Sequence, residues 1–109
     1  MRILLHECLP RELLGELVGQ EVATVQQLDW HGLKNGELLK KAAGQFEVFL
    51  TIDQLLIRQQ TIPPNLGVVT IRARSNRIQD LLPLIPELLR TLNEAKPGKA
   101  VSIGRPKRK

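Results

Sequence analysis

The chain has 109 residues, 42% apolar and 25% charged, with a net charge of +5 and one cysteine. That length bounds it to one domain with a modest core, and with two Phe, one Trp and no Tyr the core must be aliphatic. A lone Cys8 excludes a disulfide framework and a cysteine-based zinc site; no apolar run approaches the ~20 residues of a membrane span, and the opening run is too short for a signal peptide, so a cytoplasmic location is expected.

Arg2–Leu5 is the first predicted strand. It breaks into His6, Glu7 and Cys8, and Pro10 then suits a first helical turn, where its missing N–H costs nothing. Leu13, Leu14, Leu17 and Val18 fall on one helical face, and Gly19 stops that helix. Val22–Val25 is the second strand. In the loop "DWHGLKNG", His31 reads as a solvated side chain and Trp30 as a core or lid anchor, on which a base could stack if it is exposed. Gly36 opens a helix that Gly44 ends, and Phe46–Ile52 is a strongly β-prone third strand. "DQLLIRQQ" is a short helix or loop, "TIPPNLG" a turn, and Val68–Ala73 the fourth strand. "SNRIQDLLPLIPELLRTLN" is an amphipathic helical segment, capped by Ser75 or Asn76 and kinked or split at Pro83 and Pro86.

Charge divides the chain. From Glu94 onward it carries six of the 16 Lys and Arg but one of the 11 acids, leaving ten of each sign in residues 1–93. Residues 94–109 read as a flexible basic tail on a neutral domain. Such a tail adds counterion-release affinity for nucleic acid, or merely solubilises.

Strands alternating with helices predict an α/β domain, a mostly parallel sheet of about four strands with helices on both faces and right-handed crossovers. Ligands of such sheets bind outside the carboxyl ends of the strands. His6 and Glu7, Asp53, and Arg72, Arg74, Ser75 and Asn76 should therefore converge, with Glu37 projecting to the same edge. Converging carboxylates suit Mg²⁺ or Mn²⁺, and such metals catalyse phosphodiester hydrolysis. Arg72, Arg74 and Arg77 suit phosphates, or form a solvated rim. Glu37 is equally a first-turn acid favoured by the helix dipole, and Asp53 equally a cap.

"MRILLHECLP", "GLKNGELL" and "FEVFLTID" together resemble the small PIN-like family found as toxin components beside VapC-type proteins, in order over residues 1 to about 93. The resemblance implies a compact three-layer α/β/α domain, a Mg²⁺- or Mn²⁺-dependent endoribonuclease acting on RNA, an antitoxin-like protein partner and a homodimer. It makes Asp53, Glu37 and His6 the metal positions, with Glu7 beside them in the catalytic set. Thr51, Arg72, Arg74, Ser75 and Asn76 would face the substrate. The family's leading residue is aspartate, and His6 stands in its place. A neutral imidazole is a softer ligand that suits Zn, Mn, Fe or Ni better than Mg. Glu7 could compensate only if the strand bends at its end, because neighbouring strand residues face opposite sides. The chain is then either a weakened nuclease or a non-catalytic module that binds RNA or protein. A Cys8–His6 nucleophile pair would need a third, orienting group that the sequence does not reveal.

Overall fold

The computed structural model describes residues 1–104, and among them no helix is long and apolar enough to cross a membrane. Five strands form one sheet: β1 (Arg2–Leu5), β2 (Glu21–Thr24), β3 (Val48–Thr51), β4 (Gly67–Arg72) and β5 (Ala100–Gly104). Every pairing is parallel, and the order is β2-β1-β3-β4-β5. The helices are α1 (Asn35–Gln45), α2 (Gln54–Gln59), α3 (Ile78–Leu81) and α4 (Ile85–Glu94).

Central parallel strands are covered on both faces and so read as unbroken apolar runs. Ile3-Leu4-Leu5 and Val48-Phe49-Leu50 are such runs, and all six residues are buried. Ile3, Leu5, Leu50 and Ile71 face one side, against Leu13 and Leu17 of the first connection and Leu88 and Leu92 of α4. Leu4, Phe49 and Val68 face the other, against Leu38, Leu39 and Ala42 of α1 and Leu56 of α2. The α/β/α layering expected from the alternation is thereby present.

Local departures from the sequence expectations, and the choices among the alternatives they left open, have identifiable causes. The first connection is a 3-10 turn, Arg11–Glu16, not an α-helix. Gly15 weakens helix propensity there, and Val18, expected on the apolar face, is 77% exposed beyond the turn. Helix α1 runs through Gly44 to Gln45, closing on a bond from the Phe46 amide to the Ala42 carbonyl. "DQLLIRQQ" is a helix, because Asp53 caps it. The proline-bearing segment does split, into α3, a 3-10 turn at Leu82–Leu84, and α4.

The largest difference is β5. Ala100–Gly104, placed by composition in the basic tail, pairs with β4 from Val68↔Ala100 to Arg72↔Gly104 and sets Ile103 into the core. Only Arg105–Lys109 of that tail lies outside the described residues. The connection that delivers β5 is also unusual. Helices α1 and α2 carry the chain toward the β5 edge over one face, whereas α4 carries it the same way over the other. This last crossover therefore has the opposite hand to the other three, against the strong preference for a uniform hand. Burial explains it: without α4, one short 3-10 turn would cover the apolar face that holds Ile71 and Ile103.

Candidate functional site at the sheet's carboxyl edge

In an all-parallel sheet every strand ends at the same edge. The chain leaves β1 in one direction, to β2, while β3 to β5 lie on the other side, so the topological switch point falls between β1 and β3. That is where doubly wound sheets of this order open a crevice for ligands. Leu5 pairs with Leu50, so the next residues, His6 and Thr51, meet across the switch point. His6 Nδ1 lies 2.8 Å from Thr51 Oγ1. The imidazole also packs on Phe49, ring centroids 5.2 Å apart.

Two loops close around this contact. The turn after β1 folds back, with the Leu9 amide donating to the His6 carbonyl at 3.0 Å. Cys8 Sγ thereby lies 3.3 Å from His6 Nδ1 and 3.6 Å from Thr51 Oγ1. Burial pushes the Cys8 thiol up, but the His6 hydrogen bond, the Ile52 backbone amide, the His6 charge and the Thr51 hydroxyl outweigh it and hold the thiol below its ordinary value. From the other side, Asn76 Nδ2 donates to the Cys8 carbonyl at 2.9 Å and ties the β4–α3 loop to the site. Ser75 accepts from the Arg77 amide and donates to Asp80, which fixes that loop's shape.

Thr51 is fully buried, and its Oγ1 also accepts from the Asp53 backbone amide at 3.0 Å. It positions Asp53 through the backbone, not through the carboxylate. Asp53 Oδ1 accepts from the Leu55 and Leu56 amides at 3.0 and 3.3 Å, the N-cap arrangement. Gln54 Nε2 donates to the Ile71 carbonyl and fastens the start of α2 over β4.

The other expected residues are distributed as follows. Glu7 is exposed in the turn after β1. Glu37 lies in the first turn of α1 and lines an open groove with Lys34, Gly36, Lys40 and Gln60, a set that includes none of His6, Thr51 or Asp53. Arg72, Arg74 and Arg77 are exposed, and among the described residues the one ion pair is His31–Asp29, so none of the three arginines is paired with an acid. Trp30 stands edge-on to Phe46 and beneath Lys41 Nζ, as part of the α1-side core.

The strand-end donors that do meet are an imidazole, a hydroxyl and a thiol, each of them soft or neutral. Asp53 brings a single carboxylate, whose Oδ1 is engaged by two amides. Among the described residues no three His, Cys, Asp or Glu form a group that could hold a metal ion. Such a donor set does not fit a hard dication, which takes several charged oxygens. What it fits is nucleophile and proton chemistry on sulfur, beside a rim of guanidinium groups.

The Cys8–His6 pair was readable in the sequence, and what sequence reasoning missed is that Thr51 joins it. Its signals were present, as His-x-Cys after one apolar run and Thr-x-Asp after another, but which strands are neighbours had to be known first. Comparison with known proteins finds no family model, no curated protein and no solved structure that matches this chain.

Proposed function

We propose that this chain is an RNA-binding module on a PIN-like α/β domain, holding RNA phosphates on the arginines at the end of β4 and in the loop that follows it, and cleaving nothing. The observation that carries this reading is the unpaired, exposed trio Arg72, Arg74 and Arg77, anchored beside the switch point through the Asn76–Cys8 bond. A guanidinium with no acid partner has its fork free for a phosphate. The neutral donor set at His6 supports absence of metal-dependent hydrolysis. The same resemblance that suggests RNA also implies a homodimer and an antitoxin-like partner, which belong to this proposal equally.

The test is fluorescence anisotropy of a labelled single-stranded RNA with the full chain over a range of salt. Log affinity should fall with log salt by about 0.7 per phosphate engaged. Arg74→Ala and Arg77→Ala should each lower that slope by about 0.7 to 1 and weaken binding at every salt concentration. Incubation of the same RNA with Mg²⁺ or Mn²⁺ should leave it intact. Unchanged affinity in both variants would remove the arginine rim from the account. Cleavage abolished by Asp53→Ala would instead establish the metal-dependent ribonuclease that the resemblance implies.

A further inference from the structure

We infer that Cys8 is a modification site, a sulfur nucleophile paired with His6 that exchanges with low-molecular-weight disulfides at the carboxyl edge of the sheet. An activated thiol needs a base within hydrogen-bond reach and a third group that fixes the base. Cys8 Sγ and His6 Nδ1 are 3.3 Å apart, and Thr51 Oγ1 touches both, at 2.8 Å from the nitrogen and 3.6 Å from the sulfur. Thr51 is itself held by the Asp53 amide and fully buried, so it cannot turn away. Phe49 backs the imidazole ring. Thr51, brought from 43 residues away by the β1–β3 pairing, meets the same ring nitrogen as Cys8, so Nδ1 is held between the hydroxyl and the thiol.

Access and charge agree with that geometry. Cys8 is partly exposed, unlike an inert core cysteine, and the loop tied to its carbonyl carries Arg74 and Arg77. Reactive cysteines occupy such partly open, electropositive surroundings. The lowered thiol equilibrium described above has the same origin.

In the step itself, His6 accepts the Cys8 proton and the thiolate so formed attacks one sulfur of the small disulfide. A bond forms between Sγ and that sulfur while the disulfide's own S–S bond breaks. The second half leaves with the electron pair as a thiolate and takes up a proton. Cys8 is oxidised to a mixed disulfide and the small disulfide is reduced by the same two electrons. Excess free thiol reverses it.

The inference does not rest on RNA binding. Its test follows dithiodipyridine, a neutral small disulfide, reacting with the full chain, read by the absorbance of the released thiopyridone and by intact mass. Below the ordinary thiol range, at about pH 7, the folded chain should react measurably faster than the same chain unfolded in urea, because pairing with His6 leaves more of the thiol ionised there. By about pH 9, where an ordinary thiol also ionises, the advantage should vanish or invert. His6→Asn should erase the advantage at the lower pH while circular dichroism shows an intact fold. A folded chain no faster than the unfolded one at the lower pH would overturn the proposal, as would an undiminished rate in His6→Asn. Should that variant fail to fold, the comparison of native and unfolded chain decides alone.

Discussion

Thr51 is the residue on which the edge depends. Its hydroxyl accepts from the Asp53 amide and contacts His6 Nδ1 while fully buried. Thr51→Val keeps the shape and removes the oxygen, leaving the amide without its acceptor. Urea unfolding should register a loss of about 1 kcal/mol, the low end of the cost of leaving a donor unsatisfied, because the Asp53 amide is only partly buried. Asp53→Ala removes the two cap bonds of α2 and should cost about 1 kcal/mol in metal-free buffer. A loss there identifies a structural carboxylate, whereas no loss would return Asp53 to the role of a ligand. Cys8 contributes a pH dependence whose sign is fixed. Its folded equilibrium lies below that of an ordinary thiol, so the unfolded chain binds the extra proton between the two values. The stability it contributes is fully present above the unfolded thiol's value and lost as pH falls through the folded one. The gap in unfolding free energy between native and Cys8→Ser should therefore widen as pH is raised toward the ordinary thiol range. The Thr-x-Asp cap was legible in sequence because capping is local. The His6–Thr51 contact was not, because it joins residues 45 apart and depends on strand order.

At the scale of elements, legibility followed burial. The doubly covered strands β1, β3 and β4 announce themselves as apolar runs, and the two prolines mark where α3 gives way to α4. Strand β5 was invisible for the complementary reason. "AVSIG" lies at the sheet's edge among lysines, prolines and glycines, and one of its side chains, Ile103, is buried. Its place in the fold is written in Gly104, which adopts φ +99° at the end of the strand. A Cβ at that position would stand 2.2 Å from the Arg72 carbonyl oxygen, a clash with backbone that no side-chain movement relieves. Gly104→Ala should lower the thermal midpoint by several degrees, since a 1 kcal/mol loss moves a domain of this size by about 4–8 °C. An equally stable Gly104→Ala chain would mean that the β4–β5 pairing is not formed in solution.

In the whole molecule, four positive charges lie beyond Gly104, the last described residue. The described domain ends on β5, and Arg105, Lys107, Arg108 and Lys109 follow it. Removing those four positive charges takes the net charge from +5 to +1 while leaving all five strands in place. Cutting instead after Lys99 also removes β5 and uncovers Ile71 and Leu92, which pack with Ile103 in one cluster. The two truncations thus distinguish what the basic end does for binding from what it does for folding. The chain ending at Gly104 should keep the native unfolding midpoint yet bind RNA more weakly at low salt, with the difference shrinking as salt screens the charges over a Debye length of about 10 Å at 0.1 M. The chain ending at Lys99 should unfold at lower urea concentration, with a smaller denaturant slope because less surface is left to expose. If both shortened chains bind as the native one does, the arginines of the β4–α3 loop carry the interaction alone. If the chain ending at Gly104, with all five strands kept, binds no RNA at any salt, the rim of the sheet is not the site, and the basic end is the whole of the affinity.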